Sequence, residues 1–170
     1  MASSIMNVVG RLRDTLGRAA FLAPLATRVV LGLGFYHTGL GKWQHFGNTV
    51  TFFTNLGIPA PTVNAAFVSS LELAGGVLLV VGLLTRPIAL LLSSTMVVAL
   101  LTADRANFIA SWGSASESSP TDIASFVFLL FMLWLVFYGA GAASLDRLLF
   151  RRLVPVIERD RTALNGVVQV

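Results

Sequence analysis

The sequence predicts an all-α integral membrane protein: a four-helix bundle with both termini cytoplasmic and a short amphipathic interfacial helix in the first external loop. Three observations carry that prediction. Hydrophobic residues make up 55% of the 170-residue chain and charged residues 12%, against about 25% charged residues in soluble domains. A chain this small needs the most polar cover per unit volume, and its charge is too scarce to supply it; mean hydropathy is correspondingly high, at +0.79. Four long apolar stretches recur along the chain, and a helix needs roughly 20 apolar residues to cross a hydrocarbon core. Finally, the basic residues gather before residue 20 and after residue 146, around a nearly uncharged middle. The net charge of +4 is therefore a matter of topology, and no nucleic-acid partner is expected.

The elements follow in order within one domain, 1–170. The first span, about 23–41, contains Arg28 and His37. The first twenty residues have no apolar core of their own, so no cleavable signal peptide is expected and this span doubles as the targeting signal. Residues 42–61 form an external loop in which Phe46, Val50 and Phe53 recur at helical spacing until Gly57 and Pro59, which predicts the interfacial helix. The second span, about 62–84, holds a single charge, Glu72. Thr85-Arg86-Pro87 makes a tight turn into the third span, about 87–103, so these two are antiparallel neighbours. A second external loop, about 104–120, ends in a Ser-rich polar half that reads as solvated. The fourth span, about 121–143, leads into a basic cytoplasmic tail, 144–170, suited to an anionic lipid surface. Runs such as LLVVGLL and FLLFMLWLVF lack the period-two alternation of barrel strands, and spanning backbone must satisfy its own hydrogen bonds. Arg11, Arg13, Arg18, Arg86, Arg147, Arg151, Arg152, Arg159 and Arg161 fall on one side of this layout, while Lys42 and Arg105 fall on the other. The excess of positive charge marks the cytoplasmic side.

Ionisable groups within a span are costly and direct attention to function. At 100° per residue, Arg28, Gly32, Phe35, Gly39 and Lys42 share one face of the first helix. Glu72 shares a face with Gly76, Leu79 and Arg86 on the second. Charge and small residues thus lie on one seam, where helices approach closely. Glu72 is expected near the midplane, paired with Arg28 or with His37. Depth favours His37, whereas the shared glycine face favours Arg28. A structural ion pair that only fixes packing is the plainer reading of the same residues. A midplane carboxylate beside an imidazole also suits proton exchange with a quinone, and Tyr36, Trp43, Phe46 and Phe53 are candidates for a quinone or lipid pocket. Trp134 and Tyr138, one turn apart, read as lipid or packing contacts. With no cysteine in the chain, thiolate metal sites, iron–sulfur clusters and disulfides are excluded. His37 and His45 have no carboxylate close in sequence, so no metal site is expected. Nothing resembles a haem pocket, a hydrolase triad or a phosphate loop.

Together these motifs resemble the DoxX family. The first span reads RVVLGLGFYHTGLGKW, a phenylalanine-containing segment ends in LGIPAP, the second span reads LELAGGVLLVVGLLTRPIAL, and Asn107-Phe108 follows the third. The resemblance covers about residues 25–140. It implies a four-helix inner-membrane protein associated with redox chemistry. Relatives include the membrane part of a thiosulfate:quinone oxidoreductase and components of complexes that protect against oxidative or thiol stress. On that basis the seam maps onto Arg28, Lys42, Glu72 and Arg86. Many relatives carry a histidine near the end of the third span, where this chain has Asp104 and Arg105. The expected function is a subunit of a membrane redox complex, with no intrinsic cofactor, a quinone-facing pocket, and the lipid bilayer and other membrane or peripheral subunits as partners. The alternatives are a non-catalytic anchor or assembly subunit and a small transporter lined by Ser93, Ser94 and Thr95.

Overall fold

The computed structural model describes residues 2–113 and 118–149, and among them every regular element is helical. The tail beyond residue 149, with Arg151, Arg152, Arg159 and Arg161, lies outside the described residues, as do positions 114–117 of the Ser-rich loop. Helix α1 (Ala2–Ala19) was not anticipated, because its apolar residues are too few for a span. It is amphipathic: Leu12 and Leu16 fall on one side, Arg11 and Asp14 on the other, and all four are exposed. Helices α2 (Leu22–Gln44), α3 (Phe46–Asn55), α4 (Pro61–Val81), α5 (Thr85–Leu101), α6 (Arg105–Ala110) and α7 (Ala124–Tyr138) follow, with a 3-10 turn at Pro120–Asp122. Among the described residues, Gly10–Gln44 and Pro61–Val81 are long and apolar enough to cross a membrane. The apolar helices α5 and α7 are shorter, at 17 and 15 residues.

The expected boundaries shift in ways that matter. Helix α2 runs three residues past the anticipated end of the first span, which brings Lys42 and Trp43 onto the helix. Pro61 opens α4, where a missing N–H carries no penalty. Gly82 closes it at φ 75°, and the N–H groups of Gly82 and Leu83 both donate to Leu78 O at 2.9 Å. The fourth apolar helix ends at Tyr138 instead of residue 143. Gly139 and Gly141 take φ values of 85° and 75°, which turn the chain back under the bundle. The loop predicted to be amphipathic does form a helix, α3, and it buries Thr49 and Phe53. The connection between α5 and α7 contains α6, and Phe108 packs against Trp112 and Phe126 at ring separations of 6.0 and 5.3 Å. Ser125 Oγ donates to Asp104 Oδ2 at 2.5 Å, tying the start of α7 to the end of α5.

Helices α2 and α4 lie antiparallel along a seam of glycines. A Cβ at Gly39 would stand 2.5 Å from Leu73 N and 2.9 Å from Ser69 O. One at Gly76 would stand 2.5 Å from Gly32 O and 2.6 Å from Tyr36 N. Backbone here meets backbone, which only glycine allows, and dispersion replaces the hydrophobic drive that lipid removes. Leu31, Phe35, Leu79, Ile88, Ala89, Leu92, Met132 and Leu135 form the core where α4, α5 and α7 close on α2. Phe35 meets Phe128 edge-on at 5.4 Å.

The segment after α7 locks the opposite end. Asp146 accepts from Leu84 N at 2.7 Å and Thr85 N at 3.0 Å, capping α5 from 61 residues away. Arg28 Nη2 donates to Ala143 O, and Arg86 Nη2 donates to Phe137 O at 3.4 Å.

Two substitutions test this packing by thermal melting in detergent. Gly76→Leu forces side chain into backbone and is expected to destabilise by at least about 1–3 kcal/mol. Gly41→Ala, with nothing within 4 Å in a helical position, is expected to leave the melt unlowered or slightly raised; equal melts for both would rule out the close seam. Asp146→Ala removes the remote cap and should cost about 1 kcal/mol. An unaltered melt would show that the segment after α7 does not hold α5.

Candidate functional site

Glu72 lies halfway along α4, on the face that Ala65, Ser69, Gly76 and Leu79 bury against its neighbours, and it is 2% exposed. The antiparallel seam sets its partner. Gly39 of α2 lies against Ser69 and Leu73, and a long side chain one turn further along that face points back toward the N-terminus of α2 and reaches Glu72. That residue is Lys42, and its Nζ stands 2.5 Å from Glu72 Oε1. The Lys42 side chain is 30% exposed, whereas that of Glu72 is 2% exposed. Glu72 Oε2 is buried with no hydrogen-bond partner. A buried acceptor left unmade is costly, and more so on a carboxylate.

Glu72 and Lys42 also line a cavity of about 230 Å³. Phe52 and Phe53 of α3, Phe67 and Val68 of α4, and Met96, Val98 and Ala99 of α5 supply apolar walls, with Lys42 and Glu72 as the charged pole. Ser94, Thr95 and Thr102 also line it. Their hydroxyls donate to carbonyls of their own helix, at 2.6 Å to Leu91 O, 2.8 Å to Leu92 O and 2.7 Å to Val98 O. They therefore add little polarity, and no continuous polar path of the kind a transporter needs is built from them.

The structure brings together only part of the predicted seam. Glu72 pairs with neither Arg28 nor His37. Arg28 is fully buried, but its guanidinium lies against Gly82, about 15 Å along the helix direction from Glu72 at 1.5 Å per residue. His37 has the right depth but the wrong face: it is exposed, its ring 5.6 Å from that of Tyr36. Arg86 lies at the same end as Arg28, at the last turn of α7. Of the four pocket candidates, Phe53 alone lines the cavity. Trp43 and Phe46 stack on each other at 5.1 Å and 14°. The Tyr36 backbone is spent against Gly76. Trp134 and Tyr138 stack at 5.1 Å on the outer surface of α7. Phe52, Phe67 and Met96 went unnoticed in the sequence. Val68, one turn before Glu72, carried a usable signal; the α5 wall depends on how the α4–α5 hairpin closes, which spacing within either helix does not encode.

Comparison with known proteins agrees with this architecture. The sequence signature of the DoxX family matches residues 23–105. The chain is 36% identical over 81 residues to a Bacillus subtilis protein named "Putative oxidoreductase CatD", a match covering 48% of this chain and 59% of that protein's length. It is 35% identical over 137 residues to the uncharacterised membrane protein Rv3486 of Mycobacterium tuberculosis, covering 75% of this chain and 82% of Rv3486. Identity to the inner membrane protein YphA of Escherichia coli is 31% over 141 residues, or 77% and 93% of the two chains. No solved structure matches. The matches to Rv3486 and YphA extend beyond the seam over most of both chains, and so the protein is a membrane protein that belongs to the DoxX family.

Proposed function

We propose that the chain is a four-span inner-membrane subunit of a membrane redox complex, and that the cavity beside Glu72 holds a quinone ring. The observation that carries this reading is an aromatic-lined cavity with the Lys42–Glu72 ion pair at one pole. An apolar cavity of about 150 Å³ accepts benzene, so about 230 Å³ suits a substituted six-membered ring. The quinone couple carries two electrons and two protons in lipid-soluble form. In this chain Phe52, Phe53 and Phe67 would sandwich and orient the ring. Lys42 would donate to a ring oxygen, and Glu72 would hold Lys42 in place. The cysteine-free chain offers no thiolate redox centre, and electrons would come from partner subunits. The name of CatD lends support on the side of redox chemistry.

In this reading α2, α4, α5 and α7 are the spans. Both ends and the α4–α5 turn face the cytoplasm, because nine of the twelve basic residues fall on that side. α3 rests at the outer interface. The exposed apolar side of α1 supports a second reading, a non-catalytic anchor or assembly subunit for a larger complex.

Titration of the purified chain in nanodiscs with a short-tailed benzoquinone and its quinol, followed by tryptophan fluorescence, separates the two. Saturable binding is expected, and Ala99→Trp, which fills the cavity, should weaken it at least about tenfold. Absence of saturable binding, or binding indifferent to Ala99→Trp, would remove the pocket and leave the anchor reading.

A further inference from the structure

We infer that α1 is an in-plane anchor on an anionic bilayer surface: its apolar side enters the boundary of the membrane that α2 crosses, and its arginines take the phosphates of acidic lipid headgroups. This holds whatever the cavity beside Lys42 binds. Length puts α1 outside the hydrocarbon. Helix α2 has 23 residues, about 35 Å of helix at 1.5 Å per residue, which already fills a core of about 30 Å. Residues 20–21 alone join α1 to α2, so α1 leaves the span at the level of the headgroups. Leu12 and Leu16 are 61% and 64% exposed there, and no described part of the chain covers them.

The order of charge around α1 names what does. Its one acidic residue, Asp14, falls about 180° from the midpoint of Leu12 and Leu16 at about 100° per residue. Arg11 and Arg13 fall about 120° and about 80° to either side of that midpoint. An arginine flanking each side of an apolar stripe lays its stem along the acyl boundary, and its guanidinium grips phosphate through paired hydrogen bonds. The acid at the far pole points to water, away from those phosphates. Such an order belongs to a helix lying in the interface. The neighbouring surface continues it. Gly17 and Ala20 share a cleft with Gly141 and Arg147, so α1 leaves the bundle beside the segment after α7. Leu145, Leu148 and Leu149 of that segment are exposed at i, i+3 and i+4, next to exposed Arg147. Arg86 is exposed at the same end, while Asp146 is engaged with Leu84 N and Thr85 N. Among the described residues at this end, free positive charge therefore exceeds free negative charge.

The chain has no cysteine, so a single nitroxide can be placed in the full chain at Leu16→Cys or Asp14→Cys. Collision with oxygen, and with a water-soluble nickel chelate, is then read by power saturation in nanodiscs of phosphatidylcholine, with or without phosphatidylglycerol. In anionic discs the label at position 16 is expected to meet oxygen more than nickel, and the label at position 14 the reverse. Adding Arg11→Gln and Arg13→Gln should lower the immersed-to-free ratio at position 16 at least about tenfold in anionic discs, and change it little in phosphatidylcholine alone. A position-16 label open to nickel in anionic discs would overturn the anchor. So would a label hidden from both agents, which is the result expected if a protein subunit covers α1. Equal immersion in the two lipid mixtures, or equal loss in both on removing the arginines, would overturn recognition of anionic headgroups.

Discussion

The close approach of α2 and α4 is the constraint on which the rest of the structure depends. Gly32, Gly39 and Gly76 let the two backbones meet without intervening side chains, and the antiparallel direction then fixes which residues face one another. Arg28 is carried to Gly82 at one end and Lys42 to Glu72 at the other. In lipid such packing has no hydrophobic drive behind it, so surface fit and the few polar contacts must hold the register. The Lys42–Glu72 pair and the glycine seam are one device: the seam brings the charges together, and the pair penalises any slip of the seam.

The chain's scarce charges are consequently divided between two ends with different tasks. At one end Arg28, Arg86 and Asp146 bind backbone groups and hold the segment after α7 beneath α4 and α5. Asp146 meets the free amides at the start of α5 and Arg86 a carbonyl in the last turn of α7, while Arg28 holds Ala143 O and keeps Nε and Nη1 buried without a partner. At the other end Lys42 pairs with Glu72 through one carboxylate oxygen, and both residues line an aromatic cavity. Membrane proteins rarely tolerate a buried ionisable group without a reason in function. The ion pair beside an aromatic cavity is what distinguishes this end from a simple packing contact.

Much of the helical layout is legible in the sequence, because apolar length and glycine spacing are local properties. The four apolar helices and α3 fall within a few residues of where composition puts them, and Arg28, Gly32, Gly39 and Lys42 do share a face. Helix α1 escaped because its apolar residues are too few for a span. Its clue was the spacing of Leu12 and Leu16 against Arg11 and Asp14. The early end of α7 follows from left-handed Gly139 and Gly141, which composition alone reads as a continuing apolar run. The partner of Glu72 was the largest miss. Ending the first span near residue 41 treats Lys42 as loop, whereas one further turn of helix sends its side chain to the carboxylate. Phe67 and Met96 were invisible for a different reason, since they meet only through the closing of one helix on another.

The assignment of Glu72 to Lys42 is open to a direct measurement, a double-mutant cycle on unfolding in detergent using Lys42→Met, Arg28→Met, His37→Leu and Glu72→Gln. Coupling of roughly 1–3 kcal/mol is predicted between Lys42 and Glu72, with Arg28 and His37 additive to Glu72 within about 0.5 kcal/mol. Strong coupling of Glu72 to Arg28 or His37, with Lys42 additive, would contradict the seam register and the site built on it.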